Sequence, residues 1–413
     1  MGTGLGAEES TRSMAMDHDG DFAVVWTSYG QDDPLDPTGA GVYLRVFDRN
    51  DEPLTGEIQV NNFTQGHQRN AAVAMDADGD FVVVWESQGQ DPDGSWGIYG
   101  RRYDAAGRAI SGEFRINSNT ANDQLNPAVA ADIFGNFVVV WASKGQAYGF
   151  FNDVQAQRFD YDGQKIGSEF QVNQTTLSGT NLLPGSIELN PAVAMDLAGN
   201  FVVAWDQIVD QVNGAAVDSV IVARLFDSQG VPNLITPNEF QANDGTSFVG
   251  DPQHTAVPAG GGSPVESVAR NPQAAMDQAG NFIIAWEAFQ DNDVAGLAGP
   301  NSYGIYFQRF DATGTSEMGE DHQANLVITT VGTNITVPDP TINSDKFAFG
   351  QVNASLAMDA DGDYAVVWNG NGAVPHPIDP DNQPTTNADL EGVWIRQFHA
   401  QDLEGVLEFV TVQ

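Results

Sequence analysis

Cysteine is missing from all 413 residues, so disulfides, thiolate metal centres and a cysteine nucleophile are excluded. The absence does not fix the compartment, because an exported bacterial protein can do without cysteine as easily as a cytosolic one. Cations are scarce: 16 Lys and Arg stand against 56 Asp and Glu, a formal net charge of −40. So acidic a surface has no basic face to displace counterions from phosphates, which argues against nucleic acid and against an anionic membrane surface. It suits solubility, salt tolerance or divalent cations. No apolar run approaches the roughly 18 residues of a membrane helix, so no membrane insertion is expected. The opening, MGTGLGAEESTR, has neither the basic nor the apolar region of a signal peptide. It reads as the start of a mature or trimmed chain, with any export signal outside it. A sustained 3.6-residue period is also missing, so almost no helix is predicted. Hydrophobic residues still make up 41 %, enough for a core, and this argues against disorder.

What is present is a repeat. Six tryptophans, at 26, 85, 141, 205, 286 and 368, end six versions of one word: SMAMDHDGDFAVVW, AVAMDADGDFVVVW, AVAADIFGNFVVVW, AVAMDLAGNFVVAW, QAAMDQAGNFIIAW and SLAMDADGDYAVVW. A second word follows each: VYLRVFD at 42–48, IYGRRYD at 98–104, VQAQRFD at 154–160, VIVARLFD at 220–227, IYFQRFD at 305–311 and VWIRQFH at 393–399. A third comes after it: GEIQVN, GEFRIN, SEFQVN, NEFQAN, EDHQAN and LEFVTVQ. FVVVW is apolar on both faces, as a central buried strand is. IYGRRYD and EFQVN alternate, which suits a strand with one wetter face or an outer edge. D-x-x-G-[DN] joins the first two strands as a tight hairpin, and a similar turn (DAAG at 104–107, DYDG at 160–163, DATG at 311–314) joins the last two.

Copies of this length, each with four short strands, predict an all-β fold, a six-bladed β-propeller with four antiparallel strands per blade. The chain is then one propeller domain, 1–413. Its blades cover about 13–66, 69–122, 125–186, 189–250, 270–326 and 353–413, with long insertions at 251–269 and 327–352. AVAMD is placed innermost and EFQVN outermost, with each repeated Trp in the seam between blades. A β-solenoid is the structural competitor. One question stays open: if EFQVN belonged to the following blade, LEFVTVQ at 407–413 would complete the first blade and close the ring.

These words resemble a repeat family of large secreted and cell-surface bacterial proteins, whose copies read roughly AVAMDxDGDFVVVWES, GIYGQRFDxxG and GEFQVN. The second copy, 72–117, matches almost word for word. The resemblance covers 13–413 and implies an extracellular or cell-surface location beside calcium-binding or adhesion modules. It implies no shared enzymatic activity.

Three first hairpins gather three carboxylates about a flexible glycine: Asp17, Asp19 and Asp21; Asp76, Asp78 and Asp80; Asp359, Asp361 and Asp363. Calcium takes six to eight oxygens, and alternating Asp in a tight loop can supply several. These loops resemble the longer D-x-D-x-D-G loops of integrin-type propellers, and Ca2+ is the one cofactor expected. Against this, copies three to five keep the frame as Asp132, Gly135, Asn136; Asp196, Gly199, Asn200; and Asp277, Gly280, Asn281, so the shared element is the turn itself.

The connections 206–219, 241–270, 287–303, 321–352 and 369–392 hold nearly all the length variation, and loops on a rigid scaffold are the usual place for recognition. Trp96 and Trp394, outside the repeated position, are the better candidates for stacking on a sugar, with half-buried framework as the plain alternative. The six His, at 18, 67, 254, 322, 376 and 399, share no ligand spacing, and no nucleophile elbow or phosphate loop occurs. The sequence therefore reads first as a non-catalytic binding or adhesion module, calcium-stabilised, meeting a protein or polysaccharide partner at the cell surface through its long loops. The alternatives are a carbohydrate-active enzyme, lyase or glycosidase, with its site on that face, and a self-assembling surface protein whose partner is further copies of itself.

Overall fold

The computed structural model describes residues 13–31, 38–144, 152–173, 187–212, 215–233, 239–243, 269–290, 302–317, 322–323, 351–360, 362–371, 391–398 and 406–409. Among them there is no helix, and the strands form six four-stranded antiparallel sheets. The insertions 251–268 and 327–350 and most of the other long connections lie outside the described residues.

Each sheet is one copy of the repeat in chain order. The first holds β1 (Ser13–Met16), β2 (Phe22–Tyr29), β3 (Ala40–Phe47) and β4 (Ile58–Gln59). The second holds β5 (Gln68–Met75), β6 (Phe81–Gln88), β7 (Trp96–Tyr103) and β8 (Phe114–Arg115). The third runs β9 (Gln124–Ala131), β10 (Phe137–Lys144), β11 (Asn152–Phe159), β12 (Lys165–Gln171). The fourth runs β13 (Ile187–Met195), β14 (Phe201–Val212), β15 (Ala215–Phe226), β16 (Phe240–Gln241). The fifth runs β17 (Ala269–Met276), β18 (Phe282–Gln290), β19 (Ser302–Phe310), β20 (His322–Gln323), and the sixth β21 (Gln351–Met358), β22 (Tyr364–Asn371), β23 (Glu391–Phe398), β24 (Val406–Phe409). Every sheet is ordered as a meander and no ladder joins one described sheet to the next, which removes the solenoid. The third word, as fourth strand, pairs within its own copy: Ile58 and Gln59 lie against Leu44 and Tyr43, and 406–409 against 394–397. Among the described residues no strand is therefore lent from the last copy to the first.

The hairpins follow from their Asp and Gly. Asp76 Oδ1 accepts the backbone N–H of Asp78 and of Asp80, each at 3.0 Å, while Gly79 takes φ +87°. Asp17, Asp132, Asp196 and Asp277 repeat both bonds. The outer strands are shorter than the alternation predicts, only two residues in four of the sheets. In the first four sheets, whatever the length of the outer strand, an Asn just past it adds a bond: the Oδ1 atoms of Asn61, Asn117, Asn173 and Asn243 accept the N–H of Val42, Ile98, Val154 and Ile221 at 2.8–3.0 Å.

The chain divides into two compact units, Met1–Gln207 with Ala223–Phe240, and Ile208–Val222 with Gln241–Gln413. In the first, Trp85 sits in a buried cluster with Val25, Val42 and Leu44 of the preceding sheet, and Trp141 in one with Val82, Val84 and Ile98 of the second sheet. In the second, Trp368 packs with Ile283, Ile305 and Phe307 of the fifth sheet. Trp85, Trp141 and Trp368 are thus seam residues. A second repeated device joins strands two and three of every sheet: stacked aromatic pairs from Phe22–Phe47 to Tyr364–Phe398, with centroids 4.6–5.0 Å apart. Third-strand arginines tie the seams from outside. Arg101 donates to the carbonyl of Val60 at 3.0 Å and Arg224 to that of Val172 at 2.6 Å, each reaching the preceding sheet, while Arg102 and Arg158 reach turn carbonyls of the following one.

Candidate functional site

The first strands of the second, third, fifth and sixth sheets carry a bulge that the sequence reading overlooked. In the second sheet Arg69 pairs with Glu86 and Ala72 with Val84, so Asn70 and Ala71 together stand opposite Trp85. Asn70 takes φ 52°, and Asn126, Asn190, Asn271 and Asn353 do the same at 46–57°. Asn tolerates the left-handed region that a bulge of this kind needs, and a bulge re-aims the side chain it carries. The signal was legible: an Asn two residues before the A-V-A-M word, or its equivalent, in copies two to six.

Within each unit these amides meet the acid that follows a tryptophan (Glu86 and Asp206 in the first, Glu287 in the second) at the end of the sheets opposite the D-x-x-G turns, and in the first unit they form a polar row. Glu86 is fully buried, and it accepts from Arg69 Nε at 3.0 Å, Asn70 Nδ2 at 2.7 Å and the backbone N–H of Asn126 at 2.6 Å. Asn126 Nδ2 donates to Asn190 Oδ1 at 2.9 Å, and Asn190 Nδ2 to Asp206 Oδ2 at 3.1 Å. The row so crosses three consecutive sheets of the first unit. The second unit repeats its beginning: Glu287 accepts from Arg270 Nε at 2.9 Å and from the N–H of Asn353 at 2.7 Å. A carboxylate taken out of water persists only when donors surround it, and Glu86 and Glu287 have them.

Beside Glu86 stands the one sequence-nominated aromatic whose side chain is described. Trp96 opens β7, is half-buried, and receives the guanidinium of Arg69 at 4.2 Å from its ring centroid. The His67 ring lies 6.5 Å away, 16° from parallel. Nearby Asp91 is framework. It is buried, takes the Tyr99 hydroxyl at 2.7 Å and Asn117 Nδ2 at 2.9 Å, and leaves no room for a side chain at Gly97, whose Cβ would fall 2.6 Å from its Oδ2. Burial first, then the bond to Asp91, pushes the Tyr99 hydroxyl up, so it stays a donor.

The nominated metal residues stand five to six residues along the strands from this row, roughly 16–20 Å at strand rise. Asp17 and Asp76 serve as turn acceptors. Asp21 and Asp80 receive the N–H of Arg49 and Ala105 in the second hairpin of the same sheet. Asp359 accepts the N–H of Asp363, and Asp361 lies outside the described residues. Asp19 and Asp78 are exposed. Among the described residues no group of three His, Asp or Glu is gathered to hold a metal ion. Of the histidines, His18 is exposed in its turn, the side chain of His322 is not described, and 254, 376 and 399 lie outside the described residues. Trp394 lies on β23, opposite Trp368, and nothing is described of its side chain.

No family model and no curated protein matches the chain. Among solved structures it is similar to a polysaccharide lyase of family PL25, an ulvan lyase bound to -[GlcA(1-4)Rha3S]-, with a TM-score of 0.52, 12 % identity, and coverage of 95 % of this chain and 81 % of that one. A protein of unknown function from Dyadobacter fermentans gives a TM-score of 0.50 at 10 % identity, covering 88 % and 91 %. At such identities the likeness speaks for the fold, which is all-β and propeller-like. It also corrects the first functional expectation: the architecture read from sequence as a non-catalytic binding or adhesion module is shared with a solved polysaccharide lyase, and no binding or adhesion module is among these likenesses. Nothing in these likenesses supports the particular repeat family, an adhesion role or self-association.

Proposed function

We propose that this chain is a carbohydrate-active enzyme that cleaves an extracellular polysaccharide at the end of the sheets carrying the long connections. The observation behind the reading is the polar row of Glu86, Asn70, Asn126, Asn190 and Asp206, with Trp96 and Arg69 at its edge. Sugar recognition needs a dense set of oriented donors and acceptors together with an aromatic face, and a row crossing successive sheets can follow a chain of sugar units. Glu86 has three donors on it, so it acts as a positioning residue that orients Arg69 and the bulge amides. The fold likeness to a polysaccharide lyase agrees with the reading.

In the finer architecture we read the six sheets as blades of one ring. Met14 and Met16 are 59 % and 54 % exposed and Trp26 is only half-buried, all on the face of the first sheet turned away from the second. An apolar face of that kind wants a cover. Cryo-EM of the whole chain tests the ring, and an open array of sheets refutes it. For the activity, a panel of acidic and neutral polysaccharides is incubated with the protein and new chain ends are measured. Cleavage of at least one polymer, abolished by Trp96→Ala with the unfolding midpoint retained, is expected. No cleavage of any polymer would overturn the reading.

A further inference from the structure

Resting on that reading, we infer that Arg69, Trp96 and His67 form a subsite for an acidic sugar, one bearing a carboxylate or a sulfate ester. Arg69 uses only Nε on Glu86, and among the described residues its two terminal nitrogens make no hydrogen bond. The side chain is 38 % exposed, so those nitrogens can meet a ligand. The fork of a guanidinium matches a carboxylate or sulfate with two parallel bonds, which a neutral hydroxyl cannot return. Its direction is fixed from behind: Glu86 is held by Asn70 and by the N–H of Asn126, and the guanidinium carbon lies over the Trp96 ring. Trp96 and His67 supply ring faces beside the charge.

The plain alternative makes Arg69 a counterion demanded by the fold. The repeat itself answers this. At the same bulge the third and fourth sheets carry Leu125 and Leu189 in place of Arg69, and the third has Ala142 in place of Glu86. Those sheets form with the same strands and the same left-handed Asn, so the Arg–Glu pair is not needed to build a blade. Overall charge does not oppose the subsite at close range. At physiological ionic strength exposed charges more than about 8 Å apart are largely screened, whereas the Arg69 contact is direct.

The test uses the full chain and two pairs of polymers that differ in charge alone: polygalacturonate with its carboxyl-reduced form, and dextran sulfate with dextran. Binding is measured by calorimetry or affinity electrophoresis. At least tenfold tighter binding of a charged member than of its neutral partner is expected, and the pair in which it occurs tells carboxylate from sulfate. Arg69→Met with Glu86→Gln removes the fork without stranding a buried charge, and it should bring the charged member to the level of its neutral partner. His67→Gln should weaken binding less. Equal binding of charged and neutral members, or a preference untouched in the double variant, would overturn the subsite while leaving the enzyme reading in place. Absence of both binding and cleavage across the wider panel would sink both.

Discussion

Replacing Gly79 by Ala tests how closely the first two sheets meet at their turn ends. Gly79 has φ +87°, and a Cβ there would lie 2.9 Å from Ala105 Cβ and 3.0 Å from Asp17 Oδ2 of the first sheet. The left-handed backbone costs an L-residue about 1–2 kcal/mol. Pushing packed atoms apart adds about 1–3 kcal/mol. Loss of chain freedom in the unfolded state returns about 0.4–1 kcal/mol. The net expectation is a destabilisation of roughly 2–4 kcal/mol. Two other glycines separate the contributions. Gly94 has φ +78° with nothing within 4 Å of its Cβ, so Gly94→Ala carries the backbone strain alone, about 1 kcal/mol. Gly112 has neither constraint, and Gly112→Ala should be neutral or stabilising by up to about 1 kcal/mol. Urea unfolding followed by tryptophan fluorescence gives the three midpoints. Gly79→Ala proving no worse than Gly94→Ala would mean that the Asp17 turn does not stand against the Gly79 turn, and the seam would have to be redrawn.

The acidic turns give two more expectations. In copies three to five the Asn closing the turn donates to the second oxygen of the first Asp, at 2.7–2.8 Å, a bond that Asp80 cannot make. Asp80→Asn should add it to Asp76 and raise stability by about 0.5–1.5 kcal/mol, measured at neutral pH in chelator. Asp76 titrates above the ordinary 3.8, through burial first and the like charge of Asp80 further down, so its favourable contribution is complete below that value and is lost as pH rises through the folded pKa. The variant removes that charge, so the Asp76 titration followed by NMR should move down and the loss should shrink. Calcium at the three acid-rich turns is a proposal for thermal unfolding to decide: millimolar calcium should raise the midpoint over chelator, and less so in Asp19→Asn with Asp78→Asn and Asp361→Asn. Equal rises would assign the effect to screening of the −40 net charge.

The scaffold was legible because its signals are local and repeated. FVVVW, flanked by D-x-x-G and ending in Trp, states a buried central strand, its turn and its seam residue within fourteen positions, and six copies average out any single deviation. The polar row was not read, because its members are scattered. Asn70 and Glu86 meet only after a hairpin has folded, and Glu86 and Asn126 are forty residues apart in neighbouring sheets. The left-handed Asn also hides in plain alternation, since a bulge leaves the apolar pattern around it nearly intact. The acidic turns are more conspicuous, because their carboxylates are adjacent in sequence. There the first Asp answers to backbone amides, a role that needs no ligand. Trp96 stood out because it breaks the register of the repeat, and a residue outside the repeated pattern is free of the packing that fixes the others.

The scarcity of cations sharpens the distinction between scaffold and site. With only 16 Lys and Arg, each guanidinium is informative. Arg224 is buried, and its bond to the Val172 carbonyl crosses from the fourth sheet to the third. Arg101 does the same between the second sheet and the first. These arginines take up carbonyls just past the ends of the outer strands β4 and β12 of the preceding sheets, so their work is holding blades together. Removing one strands an acceptor as well as losing a charge-assisted bond, about 1.5–3 kcal/mol. Arg224→Leu should therefore lower the unfolding midpoint while leaving the preference for charged over neutral polysaccharide unchanged. The Arg69→Met, Glu86→Gln pair should do the reverse. A shared outcome, with both variants losing stability alone or both losing the preference alone, would show that the repeat makes no division between seam arginines and Arg69, and the reasoning that separates them would fail.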